Sequence, residues 1–435
     1  MDRRLSFNEC ITICNFDYLP EGLEDKYNQY NPNNKPHLIP RDFLSELFEQ
    51  YEIPEHTRQR LIRGIEAIET DDVLFHFTKF LVEVLCSARN RCDETHYTHM
   101  TPGCMNQDGD LYSFLLLLAC VVPSMEMLQK RSVPEAYYEQ IPHQPLKHQL
   151  EKLVLHGDSK VDDFPWVMNF YTCSIFLLDR FYFILYQFGD PFTMFRHVST
   201  QEVIALRHAG EEFRSDGQRS GINDVYDPQG CFTSEWLENG EFIIANRINP
   251  MGFVERETTR ILKKEWEPVL QEGDMLLALH IPAGPGYTPD RLKNSMSMAI
   301  EFYGKYFPEL PIKGFWSASW LYDTRLSLLL DNEKSNIVRV QRQFYNYPTL
   351  EGDGMLRYEL FGDRNSDPVR SPGEFTTSLQ KAAAAYMQTG ARFNTLSMIV
   401  LKEEIEQIGS MPYITDADIG QFRRTVDSHL REVNG

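Results

Sequence analysis

The chain has 435 residues, of which 42% are hydrophobic and 24% charged, and its formal net charge is −20. This composition indicates a soluble globular protein of about two or three domains, and the 12% aromatic share excludes a disordered chain. The acidic excess argues against nucleic acids and anionic membranes as partners, while it leaves open a local site for a small anion.

The first part of the chain has the apolar periodicity of helices. Apolar residues recur every three or four positions and are interrupted by prolines, which end or kink helices. The pattern therefore predicts a helical N-terminal domain over residues 1–158. The predicted helices cover 40–62 with a break at Pro54, 71–86, 110–122 with an end at Pro123, and a segment that begins near residue 148.

Beyond residue 158 the pattern changes to that of strands. Aromatic and β-branched residues become frequent, and short turns separate the runs. Several successive strands joined by short turns indicate an antiparallel sheet. The predicted strands cover 180–188, 193–198, 202–207, 241–248 and 274–281.

From residue 274 onward, strands and helices alternate. Thr288 suits the N-cap of a helix and Pro289 its first position, and an apolar stripe with a 3.6-residue period continues to Phe307. The later predictions are a strand at 312–319, a short helix at 323–330, a hairpin of 336–345 and 355–361, an Ala-rich helix at 376–387, a strand at 393–401, and a charged, helical tail at 403–435.

Four segments carry a resemblance to a known family: GDMLLALHIPAGPGYTPDRLKNSM, FWSASWLYD, NIVRVQRQF and TSLQKAAAAY. They resemble bacterial two-part proteins described as N-acyltransferases, which join a helical N-terminal domain to a GNAT-like C-terminal domain. The resemblance covers residues 160–402. It implies an α+β fold in which a GNAT-like mixed-sheet acyltransferase domain occupies residues 159–402. It also implies that acetyl-CoA or another acyl-CoA is the co-substrate and that the acceptor is a small molecule such as an amine.

The loop between strand 274–281 and the next helix is the candidate site for the pyrophosphate of CoA. Glycines let the backbone approach a phosphate, and a helix N-terminus attracts anions. The loop departs from the usual GNAT pattern, because it lacks the leading Gln or Arg and because Pro285 has no N–H to donate. The cofactor-binding candidates are Ala283, Gly284, Gly286, Tyr287, Thr288 and Ser317.

The catalytic candidates lie at the ends of two predicted strands. His280 ends the first strand and has an imidazole suited to proton transfer near neutral pH. In GNAT enzymes a tyrosine beyond the next strand often protonates the leaving thiolate, and Tyr322 resembles it in position. Ser319 is a polar pocket candidate, and Asp323 either caps the following helix or works with His280. Glu235 is a second, weaker candidate for the base.

Two other functions remain open at this point. The altered loop favours a non-catalytic ligand-binding module on a GNAT scaffold, because a fold does not fix a function. A hydrolase-type enzyme in the interdomain cleft, which would use His280 with Asp323, is the third hypothesis. A bound CoA derivative would favour the transferase, and a strand gap filled by Trp316 or Trp320 would favour the binding module.

The cysteines and the N-terminus indicate the compartment. Eight cysteines without a framework spacing fit a reducing environment, and the N-terminus has no signal-peptide core. The apolar run 113–122 is shorter than the roughly 18–20 residues that span a bilayer. We therefore expect a cytoplasmic protein without membrane contact. The set Cys92, His96, His99 and Cys104 has zinc-ligand types, but its spacing matches no structural site, and we expect no metal.

Overall fold

The computed structural model describes residues 4–31, 37–87, 97–365 and 375–433. Two compact units divide at residue 177, one covering Met1–Leu177 and the other Leu178–Gly435. The first is helical and the second contains mixed sheets with helices, which confirms the predicted α+β class. The domain bounds drawn from the sequence stay a prediction.

Helices packed around an apolar core form the first unit. α5 shows why the sequence folds this way, because its apolar residues recur on one face and bury Phe77, Phe80 and Leu81 almost completely. The helices are α1 (Phe7–Cys14), α2 (Leu23–Gln29), α3 (Arg41–Gln50), α4 (Glu55–Thr70), α5 (Asp72–Ser87), α6 (Tyr112–Lys130), α7 (His143–His156) and α8 (Phe164–Tyr171).

α6 continues for seven residues beyond Pro123, so the prediction that it ends at this proline was wrong. A proline inside a helix costs about 3 kcal/mol, but burying each large apolar side chain returns roughly 1.5–3 kcal/mol. Every residue from Tyr112 to Val121 is buried, as is Leu128. The segment Gly103–Lys130 is apolar enough to cross a membrane, yet 72% of its most apolar stretch is buried inside the protein, as in a core helix.

Two larger sheets organise the second unit. The first runs in the order β2-β11-β12-β14-β13, and the second in the order β10-β3-β4-β8-β7 with β9 paired to β8. The strands are β1 (Ile175–Leu178), β2 (Phe181–Gln187), β3 (Phe192–His197), β4 (Val203–Arg207), β5 (Glu212–Phe213), β6 (Phe232–Thr233), β7 (Trp236–Glu238), β8 (Phe242–Asn249), β9 (Phe253–Leu262), β10 (Trp266–Leu270), β11 (Met275–His280), β12 (Ile312–Ser319), β13 (Tyr345–Pro348) and β14 (Leu396–Leu401).

The helices of this unit begin with the one that the sequence predicts most clearly. Oγ of Thr288 accepts a hydrogen bond from the N–H of Arg291, so Thr288 is the N-cap as predicted. The helices are α9 (Pro289–Tyr306), α10 (Asn336–Gln341), α11 (Gly354–Phe361), α12 (Ser378–Gln388) and α13 (Asp416–Val433). The predicted short helix at 323–330 is a 3-10 turn, Thr324–Leu328.

The predicted hairpin of 336–345 and 355–361 was wrong. These segments form α10 and α11, and the short strand β13 between them pairs with β14, with Tyr345 opposite Ile399. Short apolar runs fit a strand and a buried helix turn equally well. In this fold β13 occupies the edge of β14 and leaves the flanking segments to form helices.

β11 and β12 are parallel neighbours that part before they end. Their register stops at Ala278 opposite Trp316. Beyond this point β11 still pairs with β2, with His280 opposite Tyr182, and β12 still pairs with β14 as far as Ser319. The last residues of both strands are therefore paired only on their outer sides, and a gap opens between them.

Candidate active site

A cavity of about 510 Å³ lies at the ends of β11 and β12, where the gap opens. Its lining residues come from the loops and strand ends along one edge of the first sheet. They are Arg180, Leu279, His280, Ile281, Pro282, Ala283, Gly284, Tyr287, Ser317, Ala318, Ser319, Trp320, Leu321, Ile337, Glu351, Met355, Glu359 and Thr395. Apolar side chains form much of the wall, and polar groups are spread along it, as in small-molecule sites.

The strand order gives the cavity a direction. Arg180 precedes β2, and Glu351 follows β13, so four strand steps separate the two positions. At about 4.8 Å for each step, their strands lie roughly 19 Å apart. Among the described lining residues, Arg180 carries the positive charge, whereas Glu351 and Glu359 carry the negative charges. The cavity is therefore cationic at one end and anionic at the other.

Arg180 holds the glycine-containing loop after β11. Its Nε donates to the carbonyl oxygen of Pro285 at 2.7 Å, and its Nη2 donates to those of Pro282 and Gly284 at 2.6 and 2.9 Å. The neighbouring Asp179 pairs with Arg291 at 3.1 Å. Within the described part of the chain no carboxylate pairs with Arg180, so its positive charge is not neutralised beside the loop.

The loop conformation requires its glycines. Gly284 and Gly286 have φ of 111° and 97°, which side-chain-bearing residues rarely adopt. The loop carbonyls turn toward Arg180. In the part of the chain that the structure describes, the N–H groups of Ala283, Gly284, Gly286 and Tyr287 have no hydrogen-bond partner. Unpaired amides beside a guanidinium form a suitable environment for an anion.

Ser317 connects the two strands where their backbone pairing has stopped. Its Oγ donates to the carbonyl oxygen of Leu279 at 2.7 Å and accepts a hydrogen bond from the hydroxyl of Tyr322 at 2.9 Å. Ser317 lines the cavity, whereas Tyr322 is completely buried and does not. Burial also raises the pKa of the Tyr322 hydroxyl far above its ordinary value. Tyr322 thus reaches the cavity lining only through Ser317, which accepts its hydrogen bond.

Tyr287 lines the cavity directly. Its hydroxyl oxygen is buried and has no hydrogen-bond partner among the described residues. Burial raises the pKa of this hydroxyl well above its ordinary value, so it stays protonated. A buried hydroxyl without a partner costs about 1–3 kcal/mol, which a hydrogen bond to a bound molecule would recover. The sequence predicted Tyr287 as a cofactor-binding residue, and its proton is free for donation.

Asp323 is a buried carboxylate outside the cavity lining, and it holds nearby backbone in place. Its carboxylate is buried and accepts hydrogen bonds from the backbone N–H of Arg325 at 3.0 Å and of Asn394 at 2.7 Å. The Arg325 guanidinium lies 3.4 Å away. Burial raises the pKa of the carboxyl group and is only partly opposed by Arg325. Of the two roles predicted for Asp323, the structure shows the cap, and Asp323 does not line the cavity.

The other predicted residues divide between the cavity and its surroundings. His280 lines the cavity at the end of β11, and Ser319 lines it while its Oγ accepts from the N–H of Leu321 at 3.2 Å. Ala283, Gly284 and Ser317 also line it. Thr288 caps α9 and Gly286 lies against the Arg180 side chain, so these two act on the loop and are not part of the lining. Glu235 is exposed and outside the lining.

Sequence reasoning missed Arg180 and the acidic end of the cavity. The signal for Arg180 was the charged pair Asp179-Arg180 inside an otherwise apolar run. Met355 and Glu359 lie one turn apart on α11, so they share one helix face, and the erroneous strand prediction for 355–361 concealed this spacing.

The cysteine and histidine set gives no metal site in the described residues. Cys92 and His96 lie outside those residues. Nδ1 of His99 accepts a hydrogen bond from the N–H of Val161 at 3.2 Å. Within the described ranges no three His, Cys, Asp or Glu side chains are grouped so that they could hold a metal ion.

Comparisons with known proteins agree with this architecture. A family model described as a GNAT-like C-terminal domain matches residues 195–398, and one described as an N-acyltransferase N-terminal domain matches residues 42–173. Among curated proteins none matches the sequence.

Two crystal structures of acyltransferases align with most of this chain. A variant acyltransferase in complex with octanoyl-CoA is 15% identical with a TM-score of 0.50, and the match covers 91% of this chain and 99% of that chain. An acyltransferase in complex with decanoyl-CoA and teicoplanin is 16% identical with a TM-score of 0.49 over the same shares. At this identity the likeness concerns the fold alone.

Proposed function

We propose that this chain, which belongs to the N-acyltransferase family with a GNAT-like C-terminal domain, transfers an acyl group from an acyl-CoA to a small-molecule amine. The observation that carries the proposal is the gap between β11 and β12, which opens into a cavity with a cationic loop at one end. The likeness to acyl-CoA-bound acyltransferases supplies the fold, and the choice of ligand rests on this cavity.

The loop after β11 would hold the pyrophosphate of CoA. The loop lacks the usual leading Gln or Arg, but Arg180, in the turn before the neighbouring strand β2, reaches it and supplies the missing positive charge. The unpaired N–H groups of Ala283, Gly284 and Gly286 offer hydrogen bonds to phosphate oxygens. Pro285 therefore does not prevent an anion site. Its carbonyl oxygen accepts a hydrogen bond from Arg180, while the neighbouring residues supply the N–H groups for the anion.

The gap itself would take the pantetheine arm and the thioester. An extended amide chain can pair with the strand edges that β11 and β12 leave free beyond Ala278 and Trp316. Neither tryptophan fills this gap in the manner expected of a non-catalytic module. The ring of Trp316 stacks on Tyr186 at 4.2 Å and does not line the cavity, and Trp320 forms part of the wall.

The cavity also contains groups that can move the protons. The amine nitrogen attacks the thioester carbonyl carbon, a C–N bond forms, and the C–S bond breaks. We assign His280, at the end of β11 beside the gap, as the group that takes the amine proton. Tyr287 donates its hydroxyl proton to the departing thiolate, because this proton is not used elsewhere in the described structure.

Titration calorimetry tests the proposal with CoA, acetyl-CoA and octanoyl-CoA on the full chain. We expect at least one acyl-CoA to bind, and we expect Arg180→Ala to weaken that binding about tenfold through loss of a charge-assisted contact. Lys264→Ala is the matched control, because Lys264 is an exposed cation away from the cavity. Absence of binding by all three compounds would contradict the proposal. Binding without thiol release in the presence of amines would favour the non-catalytic module.

A further inference from the structure

The anionic end of the cavity differs from the other acidic sites nearby. Glu351 follows β13, and Glu359 lies on α11, and both are exposed to the cavity. Within the described residues neither carboxylate has an ion-pair partner. In the same segment the carboxylate of Asp353 forms two bonds to the Arg357 guanidinium, at 2.8 and 2.9 Å. The fold thus pairs Asp353 with a guanidinium and leaves the two carboxylates that line the cavity without an ion-pair partner among the described residues.

Glu351 and Glu359 are held in place by their backbone. The carbonyl oxygen of Glu351 accepts from the N–H of Thr395 at 3.1 Å, and its own N–H donates to Oγ1 of Thr349 at 3.1 Å. Glu359 is fixed by α11, one turn after Met355, which also lines the cavity. Their side chains therefore extend from defined positions toward the same space.

A second observation concerns an unpartnered polar group in the wall of the cavity. Tyr287 lines the same cavity, and its buried hydroxyl has no partner in the described part of the chain. The protein leaves this polar atom unsatisfied at a cost of about 1–3 kcal/mol, which a ligand would offset. A residue in the wall of this cavity thus carries a donor that lacks an acceptor.

The distance along the sheet separates the carboxylates from the reaction centre. His280 ends β11, and Glu351 follows β13, so three strand steps lie between them. At about 4.8 Å for each step, their strands are roughly 14 Å apart. An ammonium group paired with Glu351 would therefore lie toward β13, away from the strand end that carries His280.

We infer that the acceptor carries a positively charged group in addition to the nitrogen that is acylated, and that Glu351 and Glu359 bind this second cation. Acceptors of this class are diamines, polyamines and other amines with a remote cationic group. The inference rests on the proposed function, and it adds the feature by which the enzyme selects its acceptor. Opposite charges at the two ends would also keep the anionic donor and the cationic acceptor in their own halves of the cavity.

An assay of CoA thiol release tests the inference. It uses a saturating concentration of the acyl-CoA that binds most tightly, and the amine concentration is varied. The acceptors are 1,5-diaminopentane, spermidine and pentylamine, which share an alkylamine end and differ in the second charge. We expect KM for the two multivalent amines to be about fivefold to tenfold below that of pentylamine. The preference should shrink in about 1 M salt, where the Debye length falls to roughly 3 Å.

Charge-removing variants localise the effect. E351Q/E359Q should abolish the preference by raising KM for the two multivalent amines to that of pentylamine. E301Q is the matched control, because it removes an exposed carboxylate on α9 outside the cavity and should preserve the preference. Equal KM values for all three amines in the natural sequence would overturn the inference, as would an undiminished preference in the double variant.

Direct titration with spermidine keeps the inference separate from the proposed function. Spermidine should bind the full chain without any acyl-CoA and should bind the double variant at least about fivefold more weakly. If no acyl-CoA binds but spermidine still binds the natural sequence more tightly than the double variant, only the acyl-CoA part of the proposed function is contradicted. Normal acyl-CoA binding, with spermidine binding equally to both proteins or to neither, would remove the inference only.

Discussion

The hydroxyl of Tyr322 donates a hydrogen bond to Oγ of Ser317 at 2.9 Å. The Ser317 hydroxyl in turn donates a hydrogen bond to the carbonyl oxygen of Leu279 at 2.7 Å, so the chain of donors ends inside the sheet. Tyr322, which resembles the usual GNAT acid in sequence position with an offset of some residues, therefore has its proton engaged in a hydrogen bond. Tyr287, on the loop after β11, has a buried hydroxyl with no acceptor in the described structure.

The first prediction compares these two tyrosines. Tyr287→Phe should lower kcat by about 100-fold, the usual size of a lost general acid. Tyr322→Phe should lower kcat less than about tenfold and reduce the free energy of unfolding by about 1 kcal/mol, the value of one hydrogen bond. Thiol release at saturating acyl-CoA measures the first effect, and urea unfolding measures the second. A larger loss of kcat in Tyr322→Phe would return the acid role to that residue.

The second prediction concerns how Arg180 holds the loop. Lysine keeps the charge but has a single nitrogen, so it cannot donate to the carbonyl oxygens of Pro282, Gly284 and Pro285 together. Arg180→Lys should raise KM for acyl-CoA about fivefold and Arg180→Ala about tenfold or more, with a smaller change in kcat. Steady-state kinetics with varied acyl-CoA measures this. A KM for Arg180→Lys equal to that of the natural sequence would mean that the charge alone matters.

The parts of the fold that the sequence predicts well are those with long, consistent local patterns. α9 was predicted with its cap and its end because Thr288, Pro289 and an apolar stripe all favour the same helix. β11 and β12 were predicted for the same reason, as uninterrupted apolar runs between turns. α10 and α11 were missed because six to eight residues carry too weak a period to distinguish helix from strand.

The candidate site was predictable only where it is local in sequence. Ser317 and His280 are strand-end residues, and the structure places both in the cavity as expected, while their roles stay predictions. The contact of Arg180 with Pro285 spans 105 positions, and no local pattern encodes it. Asp323 is the opposite case. Its sequence position beside Tyr322 suggested a catalytic role, but in the fold its carboxylate is buried and accepts a hydrogen bond from the N–H of Asn394.

The third prediction tests this structural role for Asp323. Asp323→Asn leaves the buried Arg325 with one carboxylate partner fewer, since Asp216 at 3.3 Å remains. We expect the free energy of unfolding to fall by about 3 kcal/mol, the low end for a broken buried pair. Glu403→Gln is the control, because this half-exposed carboxylate lies 3.9 Å from Arg196 and should change stability by less than about 1 kcal/mol.

The same variant separates structure from catalysis. Acyl-CoA binding by folded Asp323→Asn at low temperature should weaken less than in Arg180→Ala, because Asp323 acts through the backbone of Asn394 beside the lining residue Thr395. Unchanged stability together with a loss of kcat would contradict the structural assignment. In that case Asp323 would belong to the reacting groups after all.

The fourth prediction concerns a buried carboxyl group away from the cavity. Oδ2 of Asp190 accepts a hydrogen bond from the Tyr347 hydroxyl at 2.6 Å, and that hydroxyl accepts from Nε1 of Trp316 at 2.8 Å. Burial raises the pKa of Asp190, while Tyr347 and Arg207 oppose the rise only in part. The folded protein therefore holds this proton more tightly than the unfolded chain, in which the aspartate pKa is about 3.9.

The sign of the pH effect follows from this difference. The stability contributed by protonated Asp190 is fully present below about pH 4 and is lost as the pH rises through the higher pKa of the folded state, at about 1.4 kcal/mol for each unit of pKa elevation. Asp190→Asn stays neutral and keeps an acceptor for Tyr347, so its stability relative to the natural sequence should increase between pH 4 and pH 8. Urea unfolding across this range measures the difference, and Glu301→Gln, which changes an exposed carboxylate, should show no such trend. A pH-independent difference for Asp190→Asn would mean that Asp190 is charged in the folded protein throughout.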